Sequence, residues 1–402
     1  MRKNLFILAA ALAVCYSCSN DETVEVNQGN AISFRPFIDR ATRASATSDV
    51  TTANIASFEV TAFNHGETTN PYIDAVTFSG SGSPVAFTST NKYYWPTNNL
   101  DFYAWTVNSS ESGITGQVSK SAYNSFSFTP ATAANSTYAD LVFATLQNIG
   151  KTGTYNNEAA SYGADGVPLN FRHTASKIAV KVKNTSETLK FSVDGWKVGY
   201  LASTGTFTLS ETTTEGTGTL LFSDWTNNTT KAAATQYSST FDVVDINAKT
   251  ANAEASATPL AGEMILVPQR ITAATAYANG GTSAAGDPLN RSFIAVKLKI
   301  MNNDASSTVI ADDGTAAHGT IWAIWPIGDA GGAEAASQFN WEPGKKYTYT
   351  IDLAGGGYYE TNKDESPVDA DLDKILEGAE IKFVNVTVDD WTNATGIDVT
   401  MP

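Results

Sequence analysis

An all-β fold of the sandwich type is predicted by three observations. Short runs of alternating apolar and polar residues recur along the whole chain, breakers bound nearly every run, and helical periodicity is confined to a few short pieces. The length of 402 residues favours about two such β domains over one.

The chain opens on an export signal. Arg2 and Lys3 form a basic n-region, Leu5 to Val14 an apolar h-region, and small residues follow, a stretch too short to span a bilayer. Residues 1–17 are read as a signal peptide and 18–30 as a polar, acidic tether. Residues 31–186 are the first β-sandwich domain and 187–402 the second, with the seam at the turn Lys183-Asn184-Thr185-Ser186-Glu187.

Strand signals follow in order at Phe58 to Phe63, Leu100 to Trp105, Phe126 to Phe128, Leu141 to Phe143 and Ile178 to Lys183. Further runs are Leu189 to Val193, Gly205 to Leu209, Met264 to Val267, Phe293 to Ile300, Tyr347 to Leu353 and Ile381 to Val388. The runs at Leu100 and Ile178 alternate as half-buried antiparallel strands do. In the last run Ile381 and Phe383 share one phase and Val384, Val386 and Val388 the other, which predicts a β-bulge near Phe383. Leu372, Ile375 and Leu376 fall at helical spacing, so Asp371 to Glu377 is expected to be a short connecting helix. Ala, Thr, Asn and Gly dominate 227–240, 247–258 and 272–287, which read as surface loops.

Composition excludes several functions. From Cys18 onward, loss of Arg2 and Lys3 leaves 23 basic against 41 acidic residues, about −18, which disfavours nucleic acid and anionic membrane surfaces. Both cysteines, Cys15 and Cys18, lie in or beside the signal, so the exported body has no internal disulfide and no thiolate metal site. His65, His173 and His318 lie far apart without the spacing of a metal triad, and His173 is expected to be structural. There is no Gly-x-Ser-x-Gly elbow and no phosphate-binding loop. Asp389 and Asp390, adjacent on a strand, point to opposite faces and cannot flank one bond. The sequence thus predicts no enzyme, no metal and no cofactor. Among the tryptophans, Trp322 and Trp325 are expected in the core, whereas Trp196 and Trp225 are the better candidates for exposure.

Tyr16-Ser17-Cys18-Ser19-Asn20-Asp21-Glu22 resembles a lipoprotein processing site, with Cys18 as the acylated residue and acidic residues directly after it. Such an anchor holds a protein at the outer membrane without a transmembrane helix.

Five stretches resemble the fimbrillin superfamily of Bacteroidales type V pili, particularly its Mfa-like branch. They are Tyr93-Tyr94-Trp95-Pro96 with Leu100 to Ala104, Phe171-Arg172-His173-Thr174-Ala175-Ser176-Lys177-Ile178, Leu266-Val267-Pro268-Gln269, Trp341-Glu342-Pro343-Gly344-Lys345-Lys346-Tyr347-Thr348-Tyr349, and Val386 to Trp391. The resemblance implies two tandem transthyretin-like Greek-key sandwiches. It also implies an outer-membrane lipoprotein precursor, cut by an arginine-specific surface protease and polymerised with other pilin subunits, of its own or another kind, by donor-strand exchange. By this resemblance Ile32, Phe34 and Phe37 belong to the strand to be excised. Arg43, or Arg40 upstream of it, is the cleaved residue, and Ile397, Val399 and Met401 are the anchors of the donor strand. The competing expectation is a monomeric surface lipoprotein that binds a glycan or a host or bacterial protein.

Overall fold

The computed structural model describes residues 31–38, 55–81, 86–107, 114, 116–155, 158–209, 222–271, 292–311, 319–327, 340–355, 358–360, 372–374 and 383–390. The described chain is β-strand and loop apart from one helical turn, Tyr162–Asp165, and brief 3-10 turns.

The first half supplies β1 (Phe34–Ile38), β2 (Ser57–Asn64), β3 (Pro71–Ser81), β4 (Ala86–Thr88), β5 (Leu100–Val107), β6 (Val118–Ala122), β7 (Ser125–Phe128), β8 (Leu141–Ile149), a small hairpin of β9 (Gly153–Tyr155) and β10 (Glu158–Ala160), and β11 (Val167–His173). Seven of these close into a barrel in the order β1-β11-β8-β5-β2-β3-β4. Its interior is aromatic: Phe34, Phe58, Phe78, Phe102 and Phe171 pack with Trp95, Leu146 and Leu169. β5 and β2 are buried on both faces, because a second apolar layer covers the barrel wall at Phe63, Tyr103 and Phe143. The half-buried strand expected at Leu100 is therefore corrected to a doubly covered one.

After β11 the chain supplies β12 (Ser176–Lys183), β13 (Leu189–Ala202), β14 (Gly205–Thr208), β15 (Trp225–Thr226), β16 (Lys231–Ile246), β17 (Thr258–Pro259), β18 (Met264–Leu266), β19 (Phe293–Asn302), β20 (Val309–Ala311), β21 (Ile321–Pro326), β22 (Lys345–Asp352), β23 (Tyr358–Glu360), β24 (Leu372–Lys374) and β25 (Phe383–Asp390). One sheet runs β17-β12-β22-β25 with β18 beside β12; the other runs β16-β13-β19-β21-β23-β24 with β20 beside β19. Ile178, Val180, Tyr349 and Ile351 of the first sheet face Trp196, Val198, Val296 and Trp325 of the second across one core. That is a β-sandwich.

β11 is the last strand of the barrel and β12 already belongs to the sandwich, so the chain changes sheets at Thr174 and Ala175. The turn at 183–187 lies within the second body. A four-stranded sheet, β15-β14-β7-β6, unites a hairpin from before this crossing with strands from after it, and buries Phe126, Phe128, Phe207 and Trp225 against the barrel wall. The loop after β7 grips the sandwich as well. Asn135, at φ 57°, donates its backbone N–H to the Ser238 carbonyl (3.0 Å), and its Oδ1 accepts from the Thr240 N–H (2.7 Å), so it occupies the free edge of β16 as a strand residue would.

Three expectations are corrected and one holds. Residues 231–240, most of the loop expected at 227–240, belong to the 16-residue strand β16, because pairing with β13 outweighs an Ala- and Thr-rich composition. Leu372–Lys374 is a strand paired with β23, not a helix. β12 keeps the expected half-buried alternation, with Ser176, Ile178, Val180 and Val182 buried and Lys181 exposed, but it runs parallel to β22 and not antiparallel. The bulge near Phe383 is present: Phe383 opposes Ile351 and Asn385 opposes Thr350, leaving Val384 as the extra residue.

Candidate functional site

β1 is a short strand with unusual neighbours. It runs parallel to β11, from Phe34 opposite Val167 to Ile38 opposite Phe171, and among the described residues pairs with β4 at Phe34 opposite Phe87. That pair closes the barrel. Ile32, Phe34 and Pro36 are buried in alternation, and Ser33 and Arg35 between them are half-buried. The Phe34 ring stands edge-on to Phe78 (4.7 Å), Phe102 (5.6 Å) and Phe58 (5.9 Å). Burying such a side chain contributes about 1.5–3 kcal/mol. Ile32 and Phe34 are thus core residues of the barrel. Phe37 pairs with Asn170, and its side chain lies outside the described residues, as do Cys18, Arg40, Arg43, Ile397, Val399 and Met401.

The Tyr93-Tyr94-Trp95-Pro96 stretch holds the start of this strand. The Ile32 N–H donates to the Tyr93 carbonyl (2.7 Å), Ala31 bridges to Tyr94, and Tyr72 Oη–H donates to the Tyr94 carbonyl (2.6 Å). Trp95 is fully buried against Phe102.

Three other stretches singled out in the sequence converge on the crossing between barrel and sandwich. Thr174 sends both its N–H (3.0 Å) and its hydroxyl (2.9 Å) to the Leu141 carbonyl, and His173 Nδ1 meets Asp140 Oδ1 at 2.8 Å. His173 is structural, as expected, since both groups serve to pin the end of β11 beside the start of β8. Gly344, at φ 66°, donates to the Ala175 carbonyl (2.9 Å), and Ser176 Oγ donates to the Glu342 carbonyl (2.9 Å). Trp341 Nε1–H donates to Tyr349 Oη (2.8 Å) beneath that turn, and Tyr347 Oη–H donates to the Asn340 carbonyl (2.9 Å). Burial raises the pKa of both tyrosines, so both hydroxyls stay neutral. Gln269 is wholly buried; its Oε1 accepts from the Ala202 N–H (2.8 Å) and its carbonyl from the Trp341 N–H (2.8 Å). At the same crossing Lys177 (2.6 Å) and Lys346 (2.5 Å) flank Glu263.

The tryptophans fall differently from expectation. Trp196 and Trp225 are buried, and their indole N–H groups donate to the carbonyls of Ala261 (2.7 Å) and Thr174 (2.8 Å). Neither is an exposed platform. Trp325 lies in the core as expected, whereas Trp322 is half-buried on the opposite face of β21 with the Lys197 ammonium 4.3 Å from its ring centre. Among the described residues, no cluster of three or more His, Cys, Asp or Glu side chains could hold a metal. His65 Nδ1 instead meets Asp101 Oδ1 at 2.8 Å, at the far end of the barrel from the crossing.

Comparison with solved structures returns fimbrial and adhesion proteins. A fimbrial protein from Bacteroides vulgatus is 14% identical, with a TM-score of 0.46 over 90% of this chain and 100% of that one. A candidate cell adhesion protein from Bacteroides uniformis is 14% identical, with a TM-score of 0.37 over 90% and 99%. The C-terminally truncated tip fimbrial protein Mfa3 from Porphyromonas gingivalis is 11% identical, with a TM-score of 0.30 over 84% and 95%. No curated protein is significantly similar in sequence. The model of the family described as "Fimbrillin-like" matches residues 42–391, which is most of the chain. The chain belongs to the fimbrillin-like family.

Proposed function

We propose that this chain is a non-catalytic structural or adhesive subunit of a cell-surface pilus, exported as a lipoprotein on Cys18 and matured by cleavage at Arg43 or Arg40. Cleavage frees β1 for replacement by a strand of the next subunit, of which Ile397, Val399 and Met401 are the anchors. The two halves are then tandem transthyretin-like Greek-key units, with the boundary between them at Thr174 and Ala175.

One observation carries this reading. β1 fills the barrel with Ile32 and Phe34 and, among the described residues, is joined to β4 through the Phe34–Phe87 pair, and the candidate cleavage sites follow its last residue, Ile38, by two and five positions. Withdrawal of that strand exposes the unpaired edge of β11 and a row of apolar pockets, which an alternating segment satisfies. Donor and acceptor are different surfaces of one molecule, so repetition yields a filament. The buried positions of Trp196 and Trp225 remove the aromatic platforms that the glycan-binding alternative relied on.

The test is treatment of the full precursor with an arginine-specific protease, with Arg43→Ala and Arg40→Ala variants alongside. Loss of the N-terminal segment followed by heat-resistant ladders on a gel is the expected result. A wild-type chain that is cut yet never forms multimers under any condition overturns strand exchange.

A further inference from the structure

Withdrawal of β1 would vacate the buried places of Ile32, Phe34 and Pro36, and that of Phe34 is a box of rings. Phe78, Phe102 and Phe58 surround it at interplanar angles of 78°, 84° and 87° to its own ring. The walls are braced from behind, Phe58 by Phe87 (5.0 Å) and Phe171 (5.4 Å), and Phe102 by Trp95 (6.0 Å). All of these rings are buried. Close-packed walls relax only partly when their occupant leaves, so a box of nearly fixed size remains.

We infer that this box sets the register of the incoming strand, and that Met401 of a second copy takes the place of Phe34. The inference rests on the strand-exchange reading above and names which anchor enters which place. Phe34 is the largest of the three departing side chains, so a poor fit there leaves the largest void.

Among residues 392–401 the apolar side chains longer than alanine are Ile397, Val399 and Met401, and none is aromatic. Ile397 and Val399 branch at Cβ, are stiff, and are shorter than the phenylalanine they would replace. Methionine is unbranched and flexible, and its thioether makes favourable contacts with aromatic rings. In the direction of β1, Met401 in the box places Val399 where Ile32 was, one β-branched aliphatic side chain for another. Aligning Ile397 with Ile32 instead sets the smaller Val399 among the three rings.

The experiment uses the full precursor cut with an arginine-specific protease, before its N-terminal fragment has left. Synthetic peptides of residues 392–402 compete with that fragment, and native mass spectrometry gives the concentration that displaces half of it. Phenylalanine is placed in turn at positions 397, 399 and 401. Met401→Phe should displace at the wild-type concentration or below, whereas Val399→Phe, forced into the smaller place of Ile32, should need about tenfold more. A peptide carrying Met401 as its sulfoxide should also need about tenfold more, since a polar group then enters an apolar box. Val399→Phe or Ile397→Phe as the best competitor overturns the register, and a sulfoxide peptide as effective as wild type overturns the role of Met401. A peptide of residues 29–40 is the control. If it displaces the fragment and no peptide of 392–402 does, Met401 is not the occupant, and if none of them does, strand exchange itself fails.

Discussion

The indole N–H of Trp225 donates to the Thr174 carbonyl at 2.8 Å, fastening β15 to the two residues between barrel and sandwich. The same ring packs against Phe207 and Phe128, with centroids at 5.8 and 6.2 Å. Trp225→Phe keeps most of the packing and strands a buried carbonyl, so it should cost about 1–3 kcal/mol. Trp225→Ala should cost about 3–5 kcal/mol. Urea unfolding followed by fluorescence and circular dichroism measures both, and a Trp225→Phe variant as stable as wild type contradicts a role for the indole N–H.

Gly344 begins the turn into β22 at φ 66°, and a Cβ there would stand 3.2 Å from the His173 carbonyl oxygen. Left-handed backbone costs an L-residue about 1–2 kcal/mol, to which crowding adds. Gly66, at φ 85° with nothing within 4 Å, isolates the conformational part. Gly344→Ala should therefore lower the unfolding free energy more than Gly66→Ala does.

Glu263 is subject to desolvation, which raises its pKa, but hydrogen bonds and charge from Lys177 and Lys346 outweigh this and hold it below its ordinary value of 4.5. A folded pKa below the unfolded one gives stability that is present above about 4.5 and lost as the pH falls through the folded value. The carboxylate is 38% exposed, so screening keeps the contribution to about 1 kcal/mol or less. Glu263→Gln should be less stable than wild type at pH 7, and the difference should close as the pH falls below 4.5 and through the lowered folded value. A difference that is independent of pH contradicts the ion pairing.

Phe34 belongs to the core of the precursor but lies upstream of both candidate cleavage sites. Phe34→Ala should destabilise the uncut chain by about 3–5 kcal/mol. Assembled material made from it should melt as wild type does. A variant filament that melts early shows that residue 34 is retained.

Much of the fold was legible. The alternating runs mark most long strands, and the phase change between Phe383 and Val384 locates a bulge because a period of two leaves no other way to bury both sets. β16 was hidden because its first ten residues are mostly Ala, Thr and Ser, and of its described side chains only Tyr237 and Ile246 are buried in the core cluster while β13 supplies the pairing. The depth of Trp196 and Trp225 depends on which sheets meet, a non-local fact no window contains. In the site, Ile32 and Phe34 were expected from the family resemblance, and both lie in the barrel core. Pro36, buried next in the alternation, was not singled out, since proline reads as a strand breaker.

The sheet that unites β6 and β7 with β14 and β15 has a mechanical consequence. Two units joined only at residues 174 and 175 would swivel like beads on a string. Here a hairpin made before the crossing is laced to strands made after it, so tension carried along a fibre passes through several bonded rows at once. A chain truncated at Thr174 would turn Phe126 and Phe128 out to water, and the first half should aggregate when produced alone.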